Sequence, residues 1–125
     1  MCSGQPHRIL IVDDNRHVRE ALRQLLELRA GWTVCEEAVD GRDAIEKARD
    51  CRPCAVILDL SMPRMNGIEA AHLLAEIMPA VPVFLFTNFA NDHLKRAVAK
   101  TAIRDVVAKT DFVGLLAAME VALAA

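Results

Sequence analysis

Five residues of this chain have side chains and positions suited to joint chemistry. Each follows an apolar run of the sequence: Asp13 with its neighbour Asp14, then Asp59, Thr87 and Lys109. Three carboxylates within several ångströms of one another would repel by roughly 1–4 kcal/mol per pair at a surface-like dielectric constant. If the three aspartates meet, a bound proton or a cation must therefore neutralise part of their charge.

The types of these residues indicate which cation could bind to them and which reaction they could support. Carboxylate and carbonyl oxygens suit a hard cation, and a shallow site with room for water suits Mg²⁺ better than Ca²⁺. A divalent ion beside a lysine and a hydroxyl group is an arrangement that holds a phosphoryl group. One aspartate could then serve as the nucleophile, because carboxylates form acyl phosphates.

The elements that would position these residues alternate along the chain between apolar runs and segments of helical periodicity. Strands are predicted at residues 8–12, 32–38, 54–58, 81–86 and 103–108. Helices are predicted between Asn15 and Gly31, after Gly41 on the positions 44, 45 and 48, at about 67–78, from 91 or 92 to about 100, and from 112 to 123. Five such strand–helix units with short connections indicate an α/β fold, with a mostly parallel sheet covered by helices on both faces.

Parallel strands end at a common edge of the sheet, and ligands of open α/β sheets bind beyond that edge. A single aspartate after a strand is more often a helix cap or a turn former. Asp14 could cap the first helix and Asp59 could begin an Asx-turn. The arrival of all five residues at the same ends of the strands favours a functional site over that structural interpretation.

Composition limits the alternatives. The 125 residues are 54% hydrophobic and 26% charged, with a net charge of −2, which predicts one domain over residues 1–125 with a substantial core. The charge balance argues against a nucleic-acid-binding surface across the domain. The longest apolar stretch, residues 80–86, is far shorter than the about 20 residues that a membrane helix needs. Residues 1–7 have the character of a short polar lead-in rather than a signal peptide.

Without an export signal, we expect a cytoplasmic protein whose four cysteines are reduced. The Cys51–Cys54 pair has C-x-x-C spacing, but it lies between a helix and the following strand, the reverse of a redox motif. We interpret it as incidental. The four histidines are scattered along the sequence, so solvated positions are expected for them and zinc binding is not.

The motifs around the five residues resemble one known family. The matching segments are ILIVDDN at 9–15, ILDLSMPRMNG at 57–67, FT at 86–87 and AK at 108–109. Over essentially its whole length, the chain is similar to the receiver domain of bacterial two-component response regulators. The resemblance implies a flavodoxin-like (βα)5 doubly wound parallel sheet of strand order 2-1-3-4-5. In that order the first and third strands are neighbours.

The resemblance also implies a role for each site residue. Asp59 matches the phosphoacceptor, which attacks a phosphoryl group carried on a histidine of a partner kinase. The implied Mg²⁺ ligands are Asp14, Asp13 through water, Asp59 and the backbone carbonyl of Ser61. Lys109 matches the cation that pairs with a phosphoryl oxygen. The Thr87 hydroxyl matches the group that moves to hydrogen-bond the phosphoryl group.

The implied function is phosphorelay signal transduction, in which phosphorylation switches partner binding. The expected partners are a sensor histidine kinase or phosphotransfer protein, and a C-terminal DNA-binding output domain or a second copy of the chain. No direct contact with nucleic acid or membrane is expected of this domain. No enzymatic activity is expected beyond Mg²⁺-dependent self-phosphorylation and dephosphorylation.

Two positions depart from the family pattern. Val106 stands where the family usually has a tyrosine or phenylalanine three residues before the lysine, and Asn88 stands where a small residue is common. Phe89 could pack in the place of the missing ring, but we expect it to lie on the surface near the site. These departures keep open a binding module that signals without phosphorylation. A Mg²⁺-dependent phosphatase with an aspartate nucleophile is the other alternative, although such enzymes carry a D-x-D motif after their first strand.

Overall fold

Every strand of the sheet runs parallel to its neighbours. The computed structural model describes residues 6–62 and 65–124. The strands are β1 (His7–Val12), β2 (Trp32–Ala38), β3 (Ala55–Leu58), β4 (Val83–Thr87) and β5 (Ile103–Ala108). They are arranged in the order β2-β1-β3-β4-β5. This order confirms the predicted flavodoxin-like fold, and it places the ends of β1 and β3 side by side.

The helices are α1 (Arg16–Glu27), α2 (Gly41–Cys51), α3 (Gly67–Ile77), α4 (Asp92–Val98) and α5 (Phe112–Leu123). Alternate residues of β1 are buried in two different cores, because successive strand residues point to opposite faces. Leu10 and Val12 belong to the core that includes residues of α2, α3 and α4. Ile9 and Ile11 belong to the core that includes residues of α1 and α5. The unbroken apolar runs of the strands follow from this two-sided burial.

The main departures from the predicted boundaries have local causes. β4 begins at Val83, after Pro82, which lacks the N–H needed for a ladder hydrogen bond. It ends at Thr87, so Thr87 is the last residue of the strand rather than the first residue beyond it. α1 ends at Glu27, and Gly31 lies outside the helix with a positive φ of 80°. Asn15, rather than Asp14, is the N-cap of α1, because its side chain accepts hydrogen bonds from the N–H groups of His17 and Val18.

Two expectations about side chains were wrong. Cys35 and Cys51 are joined by a disulfide rather than reduced, because β2 and α2 bring their Cα atoms to 6.0 Å. The partner of Cys51 is therefore not the other cysteine of the C-x-x-C pair. His7 is buried instead of solvated, since it is the first residue of β1 and its ring contacts Trp32 edge-on. Within the described ranges, no helix combines the length and apolarity required to cross a membrane.

Two glycines at helix starts lie close to the segment that follows β3. A Cβ on Gly67 would overlap the backbone carbonyl oxygen of Asp59 and lie 2.9 Å from the Leu60 Cα. A Cβ on Gly41 would lie 2.8–2.9 Å from side-chain atoms of Met65. The first residue of α3 must therefore be a glycine for the backbone at Asp59 to keep its position.

We expect Gly67→Ala to destabilise the protein by about 1–3 kcal/mol, because backbone atoms of the Asp59–Leu60 segment cannot yield as a side chain can. Gly41→Ala is the matched control, since it makes the same change at a helix start but meets only a side chain. Urea unfolding followed by circular dichroism measures both. Equal losses in the two variants would contradict the close approach at Gly67.

Candidate functional site

The ends of β1 and β3 form the floor of the site. The Asp59 N–H donates to the Val12 carbonyl at 2.9 Å, and the Asp13 N–H donates to the Ala38 carbonyl at 3.0 Å. These bonds extend the parallel ladders by one residue beyond the strands. They place Asp13 and Asp59 next to each other, although 46 residues of sequence separate them.

The three predicted acidic residues come together at this edge. Asp13, Asp14 and Asp59 each offer a carboxylate oxygen within 4.8 Å of the others. The Asp13 and Asp59 residues are only 2% and 5% exposed, whereas Asp14 is exposed. The cluster therefore has two acids at its base and one at its mouth.

Lys109 completes the floor from the end of β5. Its Nζ donates to Asp13 Oδ2 at 2.8 Å and lies 3.3 Å from Asp59 Oδ1. Its backbone N–H donates to the Thr87 carbonyl at 3.0 Å, which fixes the segment after β5 to the end of β4. Burial lowers the pKa of the ammonium group, but the bonds and negative charges of Asp13 and Asp59 outweigh it, and the net pKa is raised. Lys109 therefore stays charged at neutral pH.

The Asp59 carboxylate is only partly compensated by this lysine. Burial raises its pKa most, and the negative charge of Asp13 raises it further. Lys109 and a hydrogen bond from the Ser61 backbone lower the pKa, but the net pKa remains above the usual range of an aspartate. Asp59 thus starts an Asx-type turn, as the structural interpretation allowed, and it also belongs to the acidic cluster. The exposed Ser61 lies two residues beyond it.

Thr87 lies at the end of β4 with its side chain buried. Its Oγ1 accepts a hydrogen bond from the Phe89 N–H at 3.1 Å, so the hydroxyl proton is not consumed by that bond. Phe89 is 58% exposed, as the sequence predicted, and Asn88 is exposed beside it. Val106 is buried in the core between the sheet and the α2–α4 helices. An aliphatic side chain therefore occupies the place where the resemblance expects a mobile ring.

One residue that the sequence reasoning missed also touches the site. Arg19, on α1, donates from Nη1 to the backbone carbonyl oxygen of Asp13 at 2.8 Å. In the sequence it is one of several polar residues between the apolar positions of an amphipathic helix. Only the packing of α1 beside the end of β1 distinguishes it from its neighbours.

The donor set fits a hard divalent cation. In the part of the chain that the structure describes, this group of acids is the one cluster of three or more potential metal ligands, and all its donors are carboxylate oxygens. The unrelieved charge at Asp59 gives a cation a physical reason to bind there. Lys109 neutralises part of the negative charge of these acids. A cation at the mouth of the cluster would neutralise the remainder.

The raised pKa of Asp59 predicts that Asp59→Asn stabilises the metal-free protein at pH 7. A carboxyl group whose pKa is higher in the folded than in the unfolded state destabilises the fold while it is ionised. The asparagine removes that charge, and we expect Tm to rise by a few degrees, since about 1 kcal/mol shifts Tm by roughly 3–5 °C in a domain of this size.

Calorimetry in EDTA measures this difference. As the pH falls from 7 through the raised pKa, Asp59 in the wild type takes up a proton, and the destabilisation caused by its charge disappears. The difference in Tm between Asp59→Asn and the wild type should therefore become smaller. A Tm for Asp59→Asn below that of the wild type at pH 7, or a Tm difference that grows as the pH falls, would contradict the raised pKa of Asp59.

Comparison with known proteins agrees with this geometry. The sequence profile described as "Response regulator receiver domain" matches residues 9–120. The chain is 32% identical to the chemotaxis protein CheY of Thermotoga maritima over 82% of this chain and 84% of that protein. It is 39% identical to the transcriptional regulatory protein LnrK of Bacillus subtilis over 70% of this chain and 40% of that protein.

A solved structure shows the same fold. It is the response regulator protein TrrA of Thermotoga maritima in complex with Mg²⁺-BeF, with a TM-score of 0.82, 28% identity and coverage of 94% of this chain and 99% of that one. The chain spans only 24–41% of the length of seven other curated relatives that it matches, which include protein-glutamate methylesterases and transcriptional regulators. With its profile match, its strand order and its acidic edge, this chain belongs to the response regulator receiver domain family.

Proposed function

We propose that Asp59 is the phosphoacceptor of a phosphorelay. The observation that carries this proposal is the contact of Lys109 Nζ with both Asp13 and Asp59 inside a cluster of three carboxylates. A carboxylate oxygen of Asp59 attacks the phosphorus, and an O–P bond forms. The bond from phosphorus to the donor breaks, and the donor leaves with the bonding electrons. The donor is a phosphohistidine of a sensor kinase or phosphotransfer protein.

The surrounding residues have separate tasks in this proposal. Asp13, Asp14, Asp59 and the carbonyl of Ser61 would hold Mg²⁺, as the donor set favours and as the Mg²⁺-BeF complex of the similar TrrA supports. When bound, Mg²⁺ supplies charge neutralisation at the phosphoryl oxygens. Lys109 pairs with one of these oxygens once the phosphoryl group arrives.

Thr87 supplies the hydroxyl that detects the phosphoryl group. Its Oγ1 accepts from Phe89 in the present structure, so its O–H remains available to donate to a new acceptor. A phosphoryl group adds about −1.5 to −2 of charge at pH 7, with oxygens that accept strong hydrogen bonds. A shift of Thr87 toward these oxygens would pull on the segment from Asn88 to Phe89, whose side chains are exposed to a partner.

The wider setting belongs to the same proposal. We assign residues 1–125 to one receiver domain with no enzymatic role beyond its own phosphorylation and dephosphorylation. The relatives named as transcriptional regulators support a DNA-binding output domain as the partner, and a second copy of the chain is the other candidate. Receiver domains are typically cytoplasmic, and we extend that location to this protein.

A second candidate is a binding module that keeps the fold but does not use phosphorylation as its signal. The buried Val106 favours it, since this side chain has no ring that could rotate in step with Thr87. A pull-down with the receiver's partner separates the two candidates. Binding that responds to phosphorylation supports the phosphorelay, whereas binding that ignores both the phosphodonor and Asp59→Asn supports the second candidate.

Acetyl phosphate with Mg²⁺ should add one phosphoryl group to the wild-type protein, measured by intact mass. Asp59→Asn should abolish the adduct because the amide is not a nucleophile for phosphorus. Asp50→Asn, which changes an exposed acid of α2, is the matched control and should be labelled like the wild type. An adduct that persists in Asp59→Asn would exclude Asp59 as the acceptor.

Mg²⁺ should raise the Tm of the wild-type protein, because a ligand at 100 times its Kd stabilises the fold by about 2.7 kcal/mol. Asp14→Asn removes an exposed carboxylate of the cluster and should reduce this shift strongly without lowering the metal-free Tm, because it also relieves repulsion among the acids. Differential scanning fluorimetry across a Mg²⁺ series measures both quantities. A full Mg²⁺ shift in Asp14→Asn would show that the ion binds elsewhere.

A further inference from the structure

Arg19 joins the acidic site to a charged pair on the neighbouring strand. Its Nη1 donates to the Asp13 carbonyl oxygen at 2.8 Å, and its Nε donates to Glu37 Oε1 on β2 at 2.9 Å. The arginine side chain is only 14% exposed. The guanidinium therefore lies in a fixed position between α1, the end of β1 and β2.

The bond from Arg19 to the Asp13 carbonyl oxygen fixes the orientation of the whole Asp13–Asp14 peptide group. A peptide group is planar, so holding its oxygen fixes the plane that connects the Cα atoms of Asp13 and Asp14. The other side of Asp13 is already fixed, because its N–H donates to the Ala38 carbonyl and its Oδ1 accepts from the Asn15 N–H. Asp14 is exposed, and the Asp13–Asp14 peptide sets the direction in which its side chain leaves the backbone.

Glu37 holds the guanidinium in turn. Its two carboxylate oxygens accept from two arginines of α1, Oε1 from Arg19 and Oε2 from Arg23 at 2.8 Å. Burial raises the pKa of Glu37, but the hydrogen bonds and charges of Arg23 and Arg19 outweigh it and lower the net pKa. The carboxylate is therefore ionised at neutral pH. Arg23 shares this partner with Arg19, but it contacts Glu37 and Glu27 rather than the Asp13 carbonyl.

We propose that Arg19 is a positioning residue for the cation site: it holds the Asp13–Asp14 peptide so that both carboxylates converge with Asp59, and Glu37 orients its guanidinium. The inference rests on the proposed Mg²⁺ site and names residues outside the expected ligand set. Partners that orient metal ligands in this way typically change metal affinity by 10–100-fold when they are removed.

The positive charge of Arg19 and its bond to the Asp13 carbonyl have opposite expected effects on Mg²⁺ affinity. A positive charge near the acids disfavours a cation, so its simple removal would tighten Mg²⁺ binding if charge dominated. A test must therefore leave the net charge unchanged. The double variant Arg19→Gln/Glu37→Gln removes one positive and one negative charge. Arg23→Gln/Glu27→Gln also removes one positive and one negative charge, from the neighbouring pair on α1, but keeps Arg19, Glu37 and both Arg19 bonds.

Titration of the whole protein with Mg²⁺, followed by backbone amide chemical shifts, measures Kd for each variant. We expect Arg19→Gln/Glu37→Gln to raise Kd about 10-fold or more. We expect the Arg23→Gln/Glu27→Gln control to remain within about twofold of the wild type, since it keeps both the Arg19 bond to the Asp13 carbonyl and the Glu37 contact that orients Arg19. In metal-free protein, the Asp14 amide shift should move in the first variant and stay in place in the second.

Equal Kd values for the two double variants, with Mg²⁺ binding intact in the wild type, would overturn the role of Arg19 and leave the metal site standing. A wild-type protein that binds no Mg²⁺ at this edge would instead overturn the metal site, and the role of Arg19 with it. If the first variant does not fold, Arg19→Lys against Arg23→Lys decides the matter. A lysine lacks the rigid planar fork with which Arg19 bonds the Asp13 carbonyl and Glu37 at the same time. Only Arg19→Lys should therefore weaken binding, and equal Kd values would again overturn the proposal.

Discussion

Mutual repulsion among three carboxylates is the constraint around which this domain is built. Asp13, Asp14 and Asp59 have oxygens within 4.8 Å of one another, and two of the three residues are buried. At such separations each pair costs roughly 1–4 kcal/mol at surface-like dielectric. Lys109 offsets part of this cost through its contacts with Asp13 and Asp59. Burial first and the charge of Asp13 second still raise the pKa of Asp59, so Lys109 does not fully offset them. This incomplete compensation is the reason why we propose that a cation and then a phosphoryl group bind here.

Backbone hydrogen bonds hold the strand ends beneath these acids, in addition to the side-chain bonds from Lys109 and Arg19. Ladder bonds extend past the ends of β1 and β3, and the Lys109 N–H is bound to the Thr87 carbonyl. The close approach of Gly67 to the Asp59–Leu60 backbone adds α3 to the same framework. Stability of the sheet and geometry of the site therefore depend on the same hydrogen bonds, and a change that loosens one should loosen the other.

The residues between the acidic cluster and the exposed surface differ in this chain from the family pattern. Thr87 is buried and bound to the Phe89 N–H, while Phe89 and Asn88 are exposed. Val106 fills its place in the core with an aliphatic side chain. In the proposed phosphorelay, a structural change that begins at Thr87 would pass directly to Phe89 through their hydrogen bond. There is no aromatic ring at position 106 to carry this change toward β5.

The apolar runs and helical periodicities determined the number, type and order of the elements, because burial on both faces of a parallel sheet leaves a strong pattern. They predicted β2 and β5 to the residue, and they identified Asp13, Asp14, Asp59, Thr87 and Lys109 as residues at one edge of the sheet. The predicted ends of helices and strands differ from the observed ones where a glycine or a proline lies near the boundary. Gly31, which lies outside α1 instead of directly ending it, and Pro82, before β4, are examples.

Contacts between distant segments were decided only by the tertiary structure. The order of strands follows from how helices pack across both faces, and periodicity alone contains no record of it; the motif resemblance supplied it. The burial of His7, the pairing of Cys35 with Cys51 and the bond from Arg19 to the Asp13 carbonyl have the same origin. Each depends on where two elements cross in space, and an arginine on an amphipathic helix has the same local signature whether it meets water or an acidic cluster.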